Sequence, residues 1–356
     1  MKQSEITLIG MTLKELENHI IGLGLEKFRA KQIFKWIYEK SERDFSKMTD
    51  LSKKAQELLS SSPLTGLELE SKEESVDGTV KFLFKTADGN FIESVLMQME
   101  HMQLDGTVKS SISACISSQV GCAVGCSFCA TGTLGFKKNL TAAEIIEQVL
   151  FMQNVSGERI ASIVYMGQGE PLNNYDEVLK SIHQLRDLVG IGIRHITIST
   201  SGILPKMDKL ADEGLQINLA LSLHDPMDED RTELVPINKK WPVFELIESL
   251  NSYEKQTKRR VTIEYVMLDG INDSDKKAEA LGQLVKKLHC NINLIPYNQT
   301  DVNDPYQRSK KDRIRSFVSV LRRASINKPV TVRRERGHDI NAACGQLANK
   351  HANAII

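Results

Sequence analysis

Between residues 11 and 60 the apolar positions recur at helical spacing. In "KFRAKQIFKWIYEK", Ile33, Phe34, Trp36 and Ile37 make a stripe interrupted by Lys and Arg, which predicts a small helical module. At residue 79 the period falls to two. "TVKFLFKTADGNFIESVLMQ" alternates on either side of Asp88-Gly89, a turn signal, and predicts a β-hairpin leading into the main domain. From residue 111, strand-like runs ("SISACISS", "RIASIVYMG", "HITIST", "INLALSLH", "VTIEYVML", "INLIPYN", "VTVRRE") are separated by helical ones. One of these, "TAAEIIEQVLFMQN", opens with Thr141 and Glu144 as a capping box.

Strands alternating with helices imply a parallel sheet. Six or seven such units predict an α/β fold with an incomplete (β/α) barrel, whose ligands gather at the carboxyl ends of the strands. The expected division is a helical accessory module over 1–78, a linking β-hairpin over 79–110 and the partial barrel over 111–350. The segments "MGQGEP", "STSG", "SLHDP" and "IPYN" all fall at predicted strand ends, together with a cysteine-rich loop.

Composition narrows the class. A chain of 356 residues, 41% hydrophobic and 26% charged, can bury a full core. Its 46 basic and 46 acidic residues cancel, so any nucleic-acid partner must be held by local patches. Candidates are Lys239 and Lys240, Lys258 to Arg260, Arg313 to Arg323, and Arg333 to His338, each of which also fits a solvated face. No stretch approaches the ~20 apolar residues that span a bilayer, and the charged start lacks a signal-peptide core, so a cytoplasmic protein is expected. In that reducing compartment six cysteines point to metal ligands or catalytic thiols rather than structural disulfides.

"CISSQVGCAVGCSFCATG" holds four of the six, Cys115, Cys122, Cys126 and Cys129. A structural zinc site prefers four N or S ligands, and here three thiols lie close together with no nearby His or second pair. Thiolates also hold four-iron clusters, and a cluster held by three leaves an iron free for an exogenous ligand.

The spacing of Cys122, Cys126, Phe128 and Cys129 resembles the radical S-adenosylmethionine (SAM) superfamily. "CISSQVGCAVGCSFCATGTLGFKKNLTAAEI", "MGQGEPLNN", "ITISTSGILP", "LALSLHDP", "VPINKKW", "EYVMLDGIND", "INLIPYN" and "DINAACGQL" together resemble the RlmN family of dual-specificity 23S rRNA and tRNA adenine-2 methyltransferases, over residues 20 to 350. The resemblance implies a [4Fe-4S] cluster on Cys122, Cys126 and Cys129. It implies a SAM pocket of Gly169, Glu170, Ser199, Ser222, Leu223, His224 and Asn298. Cys344 is implied as a methyl carrier, methylated by one SAM before a second is cleaved to a radical, and Cys115 as the thiol that frees the RNA adduct by forming a disulfide. Glu93 is implied as proton acceptor. The expected partners are 23S rRNA, tRNA and an electron donor such as flavodoxin or ferredoxin, with no membrane and a monomeric chain. Arg29, Lys31 and Lys35 near Trp36 are expected to grip RNA phosphates.

Read singly, several of these residues fit plainer roles: His224 as a core histidine, Cys344 and Cys115 as small buried fillers, Glu93 as a solvated hairpin residue, Ser199 and Asn298 as turn formers. Cys290 carries only the structural reading. Two positions depart from the family pattern, Gln168 where Met is common and Asn341 where Asp is. The rival functions are methylation of carbon 8 by the related Cfr type, a radical SAM activase acting on a protein, and an iron-sulfur electron carrier. Glu264 and Asp269 in "EYVMLDG" favour carbon 2, the Cys115 and Cys344 pair disfavours the activase, and three ligands rather than four disfavour the carrier.

Overall fold

The computed structural model describes residues 7–102, 105–300, 304–326 and 328–347. Helices α1 (Leu13–Gly22), α2 (Phe28–Tyr38) and α3 (Lys53–Leu59) bury the apolar stripe through Leu16, Ile20, Ala30, Ile33, Ile37 and Leu59. A capping box starts α1, with the Glu15 N–H donating to Thr12 Oγ1 at 3.3 Å and the Thr12 N–H donating to Glu15 Oε2 at 2.7 Å. Trp36 sits at the margin of the stripe, where its Nε1 donates to Asp50 Oδ1 at 2.6 Å and Lys40 covers its ring.

Strands β1 (Leu67–Glu74), β2 (Val80–Thr86), β3 (Phe91–Met102) and β4 (Val108–Cys115) form an antiparallel meander, with Asp88 and Gly89 in the turn between β2 and β3. The hairpin is thus the middle of a sheet rather than a free linker. β1 lies inside the 1–78 stretch read as helical: after Leu67 and Leu69 its alternation is carried by Glu, Ser and Lys, as suits an edge strand.

Helix α4 (Ala130–Thr133) and the short pair β5 (Gln119–Gly121) and β6 (Phe136–Asn139) frame the cysteine loop. There follow α5 (Ala142–Ser156), β7 (Ile160–Tyr165), α6 (Tyr175–Asp187), β8 (Ile196–Thr200), α7 (Leu204–Asp212), β9 (Asn218–Ser222), α8 (Asp228–Leu234), α9 (Val243–Thr257), β10 (Val261–Met267), α10 (Asp275–Leu284), β11 (Cys290–Pro296), α11 (Lys311–Ser325) and β12 (Val330–Val332). The predicted capping box at Thr141 and Glu144 opens α5. One ten-stranded sheet runs β1-β2-β3-β4-β7-β8-β9-β10-β11-β12. It is parallel from β4 onward and does not close, because β4 gives its second edge to β3 and β12 pairs with β11. This is the expected incomplete barrel, extended by the meander.

The helices share one continuous apolar core with the barrel, from Leu8 through Ile145 and Ile263 to Val330. A buried tether reinforces it. Glu147 of α5 is fully enclosed, accepts the Gly66 N–H at 2.9 Å and faces Arg43 at 3.7 Å. Burial pushes its carboxyl up to about 8 against the pull of Arg43.

Candidate active site

The cysteine loop starts where β4 ends and is held tightly. Gly121 has φ +70°, and a Cβ there would lie 1.8 Å from the Gly135 carbonyl oxygen, so only glycine lets β5 meet β6. The Cys122 N–H donates to that same oxygen at 3.0 Å, and the Ser127 N–H donates to Leu234 O at the end of α8 at 3.1 Å. Val124, Phe128, Leu234, Val235, Val266 and Tyr297 form a separate apolar cluster backing the three cysteines. All three thiols are free and half-buried. Burial raises each of them, Cys122 to about 12, so binding iron must displace protons. Among the described residues no three His, Cys, Asp or Glu side chains converge closely enough for a single metal ion. Three thiols on one short loop suit a polynuclear iron-sulfur cluster that leaves one iron open.

Across the rim, Glu170 is buried and already well engaged. It caps the turn after β7 by accepting the Leu172 N–H at 3.0 Å, and its other oxygen accepts the Ser201 N–H at 2.7 Å and the Ser201 hydroxyl at 2.8 Å. Gly169 has φ +100° and comes so close to Gln119 that a Cβ would meet that side chain at 2.5 Å. Ser199 and Ser222, on adjacent strands, lie 3.2 Å apart through their hydroxyls. Leu223 is fully buried, and His224 adopts φ +63°. The His224 Nδ1 accepts the Val266 N–H at 3.1 Å and its ring meets Phe128 edge-on at 4.9 Å. Burial, aided by the charge of Arg231, pushes that imidazole down to about 3, so it is neutral at working pH. Asn298 donates to Cys344 O at 3.4 Å, while its Oδ1 is buried with no donor among the described residues. An orphaned acceptor beside the rim fits a pocket that awaits a polar ligand such as SAM.

A cavity of about 1010 Å³ fills the barrel interior, and Cys115, Cys129, Asn298 and Cys344 all line it. Its lower walls are polar, with Thr197, Asn218 and Thr262, and with Glu264 accepting from Asn293 at 2.8 Å. Cys115 is buried, and burial followed by the nearness of Cys344 pushes its thiol up to about 12. The Cys344 loop is clasped from two sides. Ala130 N–H donates to Gly345 O at 2.8 Å and Thr131 Oγ1 to Leu347 O at 2.7 Å, while Lys81 Nζ reaches Ile340 O at 2.7 Å.

Glu93 does not line the cavity. It is buried on the face of β3 that carries the cavity-lining Val95 and Met97, and it pairs with Lys81 at 3.6 Å. Cys290 is a buried core residue. Arg29, Lys31 and Lys35 lie on α2, with Arg29 turned back toward Gln32 and Asp50 O. Arg333, read in the sequence as part of a basic patch, lines the cavity instead, where Cys344, Glu264 and Cys115 favour its charge. Lys81 and Arg231 were not singled out in the sequence. The turn at Asp88-Gly89 fixes a register pairing Leu83 with Glu93 and Lys81 with Val95, so the Lys81 contact was within reach of hairpin geometry. Arg231 gave no signal: among Asp228, Glu229, Asp230 and Glu233 it reads as one more solvated charge.

Comparison with known proteins agrees with this geometry. Residues 116–281 match the model of the radical SAM superfamily, and residues 6–63 match that of the ribosomal RNA large subunit methyltransferase N-terminal domain. The probable dual-specificity RNA methyltransferase RlmN of Alkaliphilus oremlandii is 46% identical, covering 98% of each chain. Its counterpart from Staphylococcus aureus is 44% identical over 97% of this chain and 93% of its own. A radical SAM methyltransferase from Sphaerobacter thermophilus, known from its crystal structure, superposes with a TM-score of 0.87 at 44% identity, covering 96% of this chain and 99% of that one. The rim cysteines, the partial barrel and near-complete alignment at this identity place the chain in the RlmN family of radical SAM methyltransferases, which work with a [4Fe-4S] cluster and SAM.

Proposed function

We propose that this protein methylates carbon 2 of an adenosine in 23S rRNA and of the adenosine 3′ of the anticodon in some tRNAs, using Cys344 as methyl carrier and Cys115 as resolving thiol. The observation that carries this reading is the placement of Cys115 and Cys344, far apart in sequence, on the walls of one cavity that also reaches Cys129. When bound, the cluster and SAM supply a methyl group and a carbon-centred radical, which the unreactive carbon 2 of adenine requires. The chain supplies the rest. Cys122, Cys126 and Cys129 hold the cluster. Glu170, Ser199, Ser222, Leu223, His224 and Asn298 line the SAM pocket, and Gly169 keeps its wall thin. Cys344 presents its methyl-bearing sulfur to the adenine. Once the carbon held by Cys344 has bonded to carbon 2 of adenine, one electron returns to the electron-transfer protein and the carbon-2 proton leaves for Glu93. Cys115 then attacks Cys344 Sγ: the S–S bond forms, the S–C bond breaks, and the released carbon takes up the Cys115 thiol proton to become the methyl group.

The reading further includes a monomer in the cytoplasm that takes electrons from a flavodoxin or ferredoxin, with Arg29, Lys31 and Lys35 contacting phosphates. Among the described residues no helix is long and apolar enough to cross a membrane. The test is to react 23S rRNA and tRNA with reconstituted enzyme, digest the RNA and locate the new methyl. Methyl on carbon 2 is expected. Methyl on carbon 8 would move the protein to the Cfr type, and unmodified RNA with a radical on a protein substrate would make it an activase.

A further inference from the structure

Among the described residues Arg231 is the largest fully buried side chain, with no exposure to solvent. Its Nε donates to Leu223 O at 2.9 Å, Nη1 to Asn238 Oδ1 at 2.7 Å, and Nη2 to Ser201 O at 2.7 Å and Ser222 O at 3.2 Å. Every acceptor is neutral. No carboxylate among the described residues stands within ion-pair distance, for Asp225 is taken by Lys277, and Asp228 accepts from Asn238 and the Val243 N–H. Burying a charge without a counter-charge costs several kcal/mol even when hydrogen bonds are satisfied. An anion is therefore expected nearby.

The fold points to where. Arg231 lies one turn before Leu234 on α8, and Leu234 O receives the N–H of Ser127, between Cys126 and Cys129. Leu234 and Val235 also pack in the apolar cluster behind the three cysteines. Burial opposes the charge of Arg231, and Cys126, Asp228 and Asp225, in that order, act in its favour, so the cysteine loop lies within its electrostatic reach. Three thiolates outweigh the charge of an oxidised four-iron core, and reduction adds an electron, so a cluster here is anionic and becomes more so when reduced.

We propose that Arg231 is a positioning residue with two tasks: it ties the ends of β8 and β9 together through their carbonyls, and it is the buried counter-charge that raises the reduction potential of the cluster on Cys122, Cys126 and Cys129. A fixed cation in a dry site favours the more negative, reduced state. The inference rests on the ligand assignment above.

The test compares full-length wild type, R231K, R231Q and C126A after anaerobic reconstitution. It measures iron and sulfide per chain, the thermal midpoint of each apo-protein, and the cluster midpoint by an electron-paramagnetic-resonance redox titration without SAM. R231K should stay near wild type. R231Q should shift to more negative potential, its reduced-to-oxidised ratio at fixed potential falling about tenfold or more, ~59 mV for one electron. If R231Q folds like R231K but loses the cluster that R231K keeps, the same need for charge is shown. Unchanged potential in R231Q, or loss of the cluster in R231K, overturns the proposal. A full cluster in C126A would instead defeat the ligand assignment, whatever Arg231 does.

Discussion

Lys81 Nζ stands 3.6 Å from the carboxylate of Glu93 and 2.7 Å from the carbonyl of Ile340, so one ammonium joins β3 to the loop that carries Cys344. Both side chains of the pair are nearly closed to solvent. Lys81→Met removes a partner of the buried Glu93 carboxylate and releases the loop, and breaking such a pair costs up to ~3–5 kcal/mol. An unfolding free energy lowered by that order is expected from denaturant titration, together with slower methyl transfer to RNA. Lys81→Arg should recover most of the stability.

The two thiols of the cavity should fail differently. Cys344→Ala should give neither methylated protein nor methylated RNA. Cys115→Ala should accept the methyl group and bond to the base but stall as a covalent protein-RNA complex, visible as a nuclease-sensitive slow band on a denaturing gel and absent from the double variant. Methylated free RNA released at the normal rate from Cys115→Ala would refute the role of Cys115.

Since burial raises the thiols of Cys122, Cys126 and Cys129, loading with iron and sulfide releases protons. Reconstitution in the absence of oxygen should therefore become more complete as pH rises, followed as cluster absorbance per chain. A yield indifferent to pH would show that these thiols are already ionised.

Glu147 gives the stability a pH slope. Its folded value, about 8, lies above the ordinary carboxyl range, so between those values the folded chain holds a proton that the unfolded chain has lost. Its contribution is complete below the ordinary carboxyl range and fades as pH climbs toward 8. Glu147→Gln keeps a neutral side chain at every pH and should flatten that decline in urea titrations. An unchanged slope would mean that Arg43 keeps Glu147 ionised.

Gly169→Ala adds a Cβ 2.5 Å from that of Gln119 at φ +100°. Since left-handed strain alone costs ~1–2 kcal/mol, and the clash adds to it, the segment should shift. We expect SAM affinity, read by equilibrium dialysis, to fall at least tenfold, ~1.4 kcal/mol, with the iron content preserved.

The parallel strands were legible because their apolar runs are bounded by turn signals, and the rim because unusual residues recur at strand ends. Side-chain partners were harder to read. "STSG" presents three hydroxyls: the structure turns Ser199 to Ser222 and gives Ser201 to Glu170, a parity set by where β8 ends. β1 stayed hidden since Glu and Lys dominate it, and only pairing with β2 makes it a strand. Arg231 is the strongest case: short-range sequence marks it as surface, and only the crossing of β8, β9 and α8 encloses it.

Cys115 closes the first parallel strand, and Cys344 follows the last. During synthesis the ribosome thus delivers the resolving thiol and the cluster cysteines early, and the methyl carrier only after every barrel strand has been made. A chain that terminates before residue 344 would contain the residues of the proposed SAM pocket but lack the thiol proposed to carry the methyl group, together with the carbonyl that Asn298 holds.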